Sequence, residues 1–234
     1  KKDEFGDYYT GGSIKEEMWS RYTSISDELN IISRLDKCIY KKEQAMKNFN
    51  SFDDSNKNFT PIPNLHSGII DFFNIKKRTE FSKSIKVKVI NNDFIIARLP
   101  SNVGSAAIKY ARKYKKPYLV EVVGCPWDAY WNHSLKGKIL APYSYLKLKR
   151  IVKEAPYVIY VTNEFLQKRY PTNGMSTNCS NVALTEFDDK VLKNRLEKIK
   201  HIQETHKYII GTTAAVNVRY KGQQYVIQAL GKLK

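Results

Sequence analysis

The sequence predicts an α/β protein built on a doubly wound parallel sheet. Three observations carry that prediction. Short apolar runs recur along the chain, as in Phe94-Ile95-Ile96-Ala97 and Tyr118-Leu119-Val120, and such runs suit strands covered on both faces. Segments with apolar residues at helical spacing lie between them. Proline, glycine and asparagine punctuate the joints. Strands that alternate with helices form βαβ units, which assemble into a parallel sheet with helices on both faces.

In chain order, Gly11-Gly12 precedes a predicted helix from about Ser13 to Ser24, and Leu29-Asn30-Ile31-Ile32-Ser33 reads as a strand. Residues Lys41 to Asn64 are polar, Asn-rich and Pro-punctuated, which predicts a long loop or insertion. The pattern then becomes regular. Asp93 to Leu99 is a strand that Pro100 ends, and Ser101 offers its hydroxyl as the cap of the next helix. That helix carries Val103, Ala106, Ala107, Tyr110 and Ala111 at helical spacing, with lysines and arginines elsewhere around it. Tyr118 to Gly124 is the next strand, Lys138 to Ala155 a long basic helix, and Tyr157 to Thr162 a further strand. Asn163 is the expected cap of a short helix that stops at Tyr170-Pro171. Asn181 to Leu184 reads as a strand, Asp188 to about Gln203 as a charged surface helix, Tyr208 to Gly211 as a strand, and Lys221 to Lys234 as helical.

A domain boundary is expected near His201–Lys207. Residues 1–206 then form one domain, and residues 207–234 hold a single βα unit, which cannot bury its own apolar faces. That unit either packs on the first domain or opens a second one, incomplete in this sequence. The second alternative is preferred.

Forty Lys and Arg stand against 23 Asp and Glu, a formal charge of +17. Nucleic acid, an anionic membrane surface and phosphorylated small molecules are all candidate partners for such a charge. No helix-turn-helix, RNP-type strand pair, zinc finger or OB-like run of short strands is visible, so nucleic acid is not expected. Cys38, Cys125 and Cys179 are too far apart for a metal motif or a disulfide framework, so no metal is expected and a reducing cytoplasm is. No run approaches the about 18 apolar residues of a membrane span. No apolar core follows the opening Lys1-Lys2-Asp3-Glu4, so no secretory signal is expected.

Several segments together carry a family resemblance. Tyr208-Ile209-Ile210-Gly211, followed by Val218-Arg219-Tyr220-Lys221-Gly222 and the helical run through Leu230, resembles the start of the C-terminal domain of retaining GT-B glycosyltransferases. Gly11-Gly12, Trp19-Ser20-Arg21-Tyr22 and Ile32-Ser33-Arg34 resemble that family's N-terminal glycine-rich loop and first helix and strand. Arg98-Leu99-Pro100-Ser101, Glu121 to Asp128, and Val161-Thr162 with Arg169-Tyr170-Pro171 resemble its later sheet-edge loops. The resemblance implies a Rossmann-like N-terminal domain on the acceptor side, with the donor-binding domain truncated. It also implies transfer of a sugar from a nucleotide-diphosphate sugar to a lipid-linked or free saccharide acceptor, in polysaccharide assembly. The nucleotide sugar is then a co-substrate, and no cofactor is required.

The chemistry of individual residues fits these roles to different degrees. Lys221-Gly222 lies at a predicted helix start, where unpaired N–H groups and the helix dipole favour a phosphate. Lys221 and Arg219 would add two positive charges beside a donor diphosphate, or both are ordinary solvated bases. Gly12 would let the backbone approach the same diphosphate, or would simply turn the chain. Arg98, at the carboxyl end of its strand, would hold an acceptor phosphate or hydroxyl, or would pair with a nearby carboxylate. Asp128 is the candidate catalytic carboxylate, with Trp127 and His133 as acceptor-binding neighbours; the aromatics of this loop equally suit core packing. Glu121, inside a strand, reads as a supporting residue. Two departures from the family stand out: Gly124-Cys125 where relatives place a His, and Thr212 where they often carry an Arg. The alternative to an enzyme is a non-catalytic saccharide-binding α/β module.

The helix from Lys138 to Ala155 interleaves Lys138, Lys147, Lys149, Arg150 and Lys153 with Leu140, Tyr143, Leu146, Leu148 and Ile151. A basic amphipathic helix can rest on an anionic membrane, so peripheral association with the inner face of the membrane is expected.

Overall fold

A computed structural model describes residues 1–12, 14, 16–52, 56–65, 74–182, 188–205, 210–212 and 221–233. Two compact units are present: Lys1–Cys125 with Leu146–Asn181, and Pro126–Tyr145 with Val182–Lys234.

In the first unit, strands β1 (Lys2–Asp3), β2 (Tyr9–Thr10), β3 (Leu29–Arg34), β4 (Ile39–Tyr40), β5 (Asn50–Ser51) and β6 (Lys57–Ile62) form three two-stranded sheets. β3 and β6 run parallel, with Leu29 opposite Lys57 and Arg34 opposite Ile62. The centre of the unit is a four-stranded parallel sheet of β7 (Ile95–Leu99), β8 (Tyr118–Val122), β9 (Tyr157–Tyr160) and β10 (Met175–Asn178), in the order β10-β9-β8-β7. Neighbours in the chain are neighbours in this sheet. The protein is therefore mixed α/β with parallel sheets.

Helices α1 (Glu16–Thr23), α2 (Lys42–Asn48), α3 (Ile75–Ile90) and α4 (Asn102–Lys113) belong to the same unit. Asn74 caps α3 by accepting from the Lys77 N–H at 3.0 Å, and Ser101 caps α4 by accepting from the Gly104 N–H at 3.2 Å, as its position predicts. α3 packs on α4, and α4 packs on β7. Ile85 and Val89 of α3, one turn apart, are buried, as are Ile108 and Ala111 of α4 and Leu99, Val120, Val122, Val158 and Tyr160 of the sheet. Each such aliphatic side chain contributes about 1.5–3 kcal/mol relative to exposure. The helix lies close on its strand: a Cβ at Gly104 would sit 2.9 Å from the Arg98 carbonyl oxygen and 3.0 Å from Leu99. Glycine at that position lets α4 hold the end of β7 where Arg98 stands.

After β8 come α5 (Pro126–Trp131) and α6 (Leu135–Lys153), inside which the boundary between the units falls. α7 (Phe165–Arg169) follows β9, α8 (Asp189–Thr205) follows β10, and α9 (Gln223–Lys232) is the last helix described. No described helix is long and apolar enough to cross a membrane.

Four sequence expectations need correction. The stretch from Lys41 to Asn64 is not a loop: it contains α2, β5 and β6. β6 hid behind its polar residues, because one of its buried side chains, Lys57, is a cation rather than a hydrophobe. Asn163 does not cap α7. The Thr162 hydroxyl accepts from the Leu166 N–H at 3.0 Å, while the Asn163 side-chain carbonyl accepts from Asn178 at 2.8 Å. Asn181 and Val182 lie outside any strand, whereas Met175–Asn178, unassigned from the sequence, is the sheet's fourth strand. Ala183, Leu184, Tyr208 and Ile209 lie outside the described residues, and Ile210-Gly211 is not in a strand.

Candidate functional site

Parallel register places Arg98 of β7 directly opposite Glu121 of β8, so both side chains leave the same face of the sheet near its carboxyl edge. There the Arg98 Nε lies 3.2 Å from Glu121 Oε2. Tyr22 of α1 donates its hydroxyl to the same carboxylate, at 3.0 and 2.9 Å from the two oxygens. An Arg98 Nη1 to Met18 Sδ contact of 3.0 Å ties the guanidinium to α1 a second time. Arg98 thus has the carboxylate partner that its position allowed, and Glu121 stands between Arg98 and Tyr22. Burial first, and the charge of Glu121 second, push the Tyr22 phenol well above its ordinary pKa, with Arg98 partly opposing. The phenol stays a neutral donor across the physiological range.

A cavity of about 410 Å³ in this unit is lined by Tyr8, Gly11, Trp19, Arg34, Phe52 and Phe59 among others. Its aromatic wall is a chain of edge-on contacts: Trp19 to Phe52 at 6.1 Å, Phe52 to Phe59 at 6.3 Å, and Phe59 to Tyr8 at 4.8 Å between ring centroids. Buried Lys57 reaches Glu16 at 2.6 Å and lies 5.9 Å from the Phe52 ring centre, which fixes α1 against β6. Gly12 beside the cavity has φ 65°, and Asn50 holds its loop by donating to the carbonyls of Gly12 at 3.2 Å and Ile14 at 3.0 Å. Buried Asp3 organises the opposite loop, accepting from the N–H groups of Phe5 and Asp7 and from the Tyr9 hydroxyl at 2.8–3.0 Å. Burial favours the protonated carboxyl of Asp3, but these hydrogen bonds outweigh it and lower its pKa.

The remaining candidates belong to the second unit. Trp127 and Trp131, one turn apart on α5, stack at 5.0 Å and 11°, and Tyr145 meets Trp127 edge-on at 5.8 Å. Trp127 is therefore the centre of an aromatic cluster. Asp128 is half-buried; its backbone carbonyl accepts from the Asn132 side chain at 2.9 Å. His133 is exposed and donates its backbone N–H to the Tyr130 carbonyl at 3.1 Å. Exposed Lys221 immediately precedes Gly222, whose φ of 85° turns the chain into α9. Arg219 lies outside the described residues. Gly12 and Arg98 thus belong to one unit and Trp127, Asp128, His133 and Lys221 to the other. Among the described residues no three His, Cys, Asp or Glu side chains gather as a metal site would require.

Sequence reading did not link Tyr22 to Glu121, nor single out Asn50 or Lys57. A lysine between an Asn-rich stretch and the aromatic Phe59 was the available signal, since a cation can close a strand's inner face only if a carboxylate meets it.

No protein-family model matches the chain. Over 234 residues the chain is 33% identical to Protein CapJ of Staphylococcus aureus; the match covers 99% of this chain and 55% of that protein. The chain thus spans about half the length of the curated relative it matches.

Proposed function

We propose that this protein is the acceptor-side part of a retaining, GT-B-type glycosyltransferase that moves a sugar from a nucleotide-diphosphate sugar to a saccharide acceptor, lipid-linked, during polysaccharide assembly. The observation that carries the proposal is the polar cluster at the carboxyl edge of the parallel sheet. In α/β sheets that edge is where ligands bind, and Arg98, Glu121 and Tyr22 meet there. The likeness to Protein CapJ, a name that points to capsule biosynthesis, supports a role in polysaccharide assembly.

On this reading residues 1–206 form the Rossmann-like acceptor domain, and residues 207–234 open the donor domain. Lys221 and Arg219 would neutralise the leaving diphosphate, with the N-terminus of α9 adding to the positive potential, and Gly12 would let the backbone approach it. Arg98, Trp127 and His133 would hold the acceptor, and Asp128 would be the catalytic carboxylate. The donor phosphate can itself take the acceptor's proton, so no protein nucleophile and no metal is required. The work of the protein is positioning and charge stabilisation. Its place would be the cytoplasmic side of the membrane.

The test is turnover. The protein, expressed through its full natural reading frame, is incubated with UDP-, GDP- and ADP-sugars and an extract of membrane lipids. Release of one nucleoside diphosphate only when the extract is present, with the product's anomeric configuration retained, is the expected result. A second reading, a non-catalytic saccharide-binding module, is favoured by the aromatic-lined cavity of about 410 Å³. Saccharide binding without nucleotide release from any donor would select it.

A further inference from the structure

The aromatic cavity of the first unit carries a charge imbalance. Three charged side chains, Lys1, Arg34 and Asp36, are among its described lining. Lys1 and Asp36 form an ion pair. The hydrogen bond from Lys1 first, then those from the Cys38 N–H and the Tyr40 hydroxyl, hold the Asp36 carboxyl well below the usual carboxylate range. The pair therefore stays charged and cancels, and Arg34 is left over. It is exposed, and among the described residues no hydrogen bond or ion pair engages its side chain. Arg34 ends β3, which runs parallel to β6, so it stands at the carboxyl end of a parallel pair. That is the end at which α/β folds bind ligands.

The rest of the lining describes the body of the ligand. Tyr8, Phe59, Phe52 and Trp19 follow one another around the wall, with interplanar angles of 68°, 65° and 90° between successive rings. Rings turned edge-on in this way make a curved apolar surface, which suits the puckered C–H face of a pyranose better than a flat base. Thr10 and Ser33 supply hydroxyls that can meet those of a sugar. The volume of about 410 Å³ lies within the range of small-ligand pockets. Trp19 and Tyr22, neighbours on α1, have ring centroids 6.5 Å apart, and Tyr22 donates to Glu121 beside Arg98. Tyr22 thus bridges the cavity wall and the polar cluster at the edge of the central sheet.

We infer that this cavity is a subsite for an anionic sugar unit, a pyranose that carries a carboxylate or a phosphate, and that Arg34 selects the charge. The planar guanidinium fork matches either anion with two parallel hydrogen bonds. The inference rests on the reading of this protein as one that handles saccharides, and it names the class of sugar. It is read by equilibrium binding, so it can fail while nucleotide release succeeds, and the reverse.

The probes are methyl glucuronoside and methyl galacturonoside, the 1-phosphates of glucose and galactose, and the neutral methyl glucoside and galactoside. Each is titrated into the full natural protein while tryptophan fluorescence and ligand NMR linewidths are followed. At least one anionic set should bind about tenfold or more tightly than its neutral counterpart, through a charge-assisted pair. Whichever set binds, uronates or phosphates, identifies the charged group. Arg34→Gln should bring the anionic and neutral affinities within about twofold of each other without weakening the neutral sugars. Arg34→Lys should keep part of the preference, because it retains the charge but not the fork. Trp19→Phe should remove the fluorescence response, which places the sugar in this cavity. Arg34 is exposed, so the fold should tolerate both of its substitutions, and thermal unfolding checks that it does. Equal affinity for anionic and neutral sugars would overturn the inference, and so would no binding of any probe. A preference that survives Arg34→Gln, or a fluorescence response that survives Trp19→Phe, would do the same.

Discussion

Glu121 receives two partners from two parts of the chain. Its carboxylate is 15% exposed, and the Arg98 side chain that meets it is 33% exposed. Screening is therefore partial, and the cluster is worth more than a surface ion pair but less than a buried one. Glu121→Ala would leave the Tyr22 hydroxyl without its acceptor and Arg98 without its counter-charge. The expected cost is about 2 kcal/mol in denaturant unfolding, and Glu121→Gln, which keeps one acceptor oxygen, should cost distinctly less. Equal losses for the two variants would mean that the carboxylate's charge, and not its acceptor capacity, organises the site.

Two phenols, half-buried Tyr22 and buried Tyr160, give the fold a pH signature. Tyr22 is raised by burial and by Glu121, and Tyr160, raised by burial to about 12, donates its hydroxyl to the Tyr170 carbonyl at 2.6 Å. For a group whose folded pKa is raised, the unfolded chain loses its proton first as pH rises. The stability these phenols contribute is then complete below the ordinary tyrosine value of about 10 and is lost progressively above it. Unfolding midpoints should fall as pH rises from about 10 towards about 12, and the fall should be shallower in Tyr22→Phe and Tyr160→Phe. Arg98 and Glu121 were each legible in the sequence, one from its place at a strand end and the other from its place inside a strand. Tyr22 was not, because nothing in a single sequence couples residues 99 positions apart.

Among the elements, legibility followed hydrophobicity. β7, β8 and β9 were readable because their apolar residues continue beyond the one buried face, and α4 because its buried residues recur at helical spacing. β10, Met-Ser-Thr-Asn, is exposed at every position and sits at the end of the sheet, where only its backbone pairing matters. β6 is stabilised inside by a lysine–glutamate pair, which no hydrophobic pattern reports. Caps were readable where the hydroxyl faces a simple helix start, as at Ser101, and misread at α7, where Thr162 reaches past Asn163. The cap at Ser101 also fixes the chain just beyond Arg98. Ser101→Ala should cost about 1 kcal/mol, and Ser101→Asp should restore most of it. A null effect of Ser101→Ala on thermal unfolding would assign the start of α4 to its packing on β7 alone.

At the scale of the molecule, the charge of +17 is the one global property the sequence stated outright. In the second unit α8 was readable as a charged surface helix and α9 as helical. α8 and α9 bury no side chain among their described residues, so the inward-facing hydrophobic pattern that reveals a helix's role is missing there. What was legible is the local device at α9: Lys221 followed by a glycine with φ 85° at the helix start. That device also gives the proposed transferase its sharpest consequence. The decisive measurement is isothermal calorimetry of UDP, GDP and ADP binding to the protein expressed through its full natural reading frame, with Lys221→Ala beside it. The account predicts saturable binding of one nucleotide, weakened about tenfold or more by Lys221→Ala through loss of a charge-assisted phosphate contact. Binding of none of the three would contradict it.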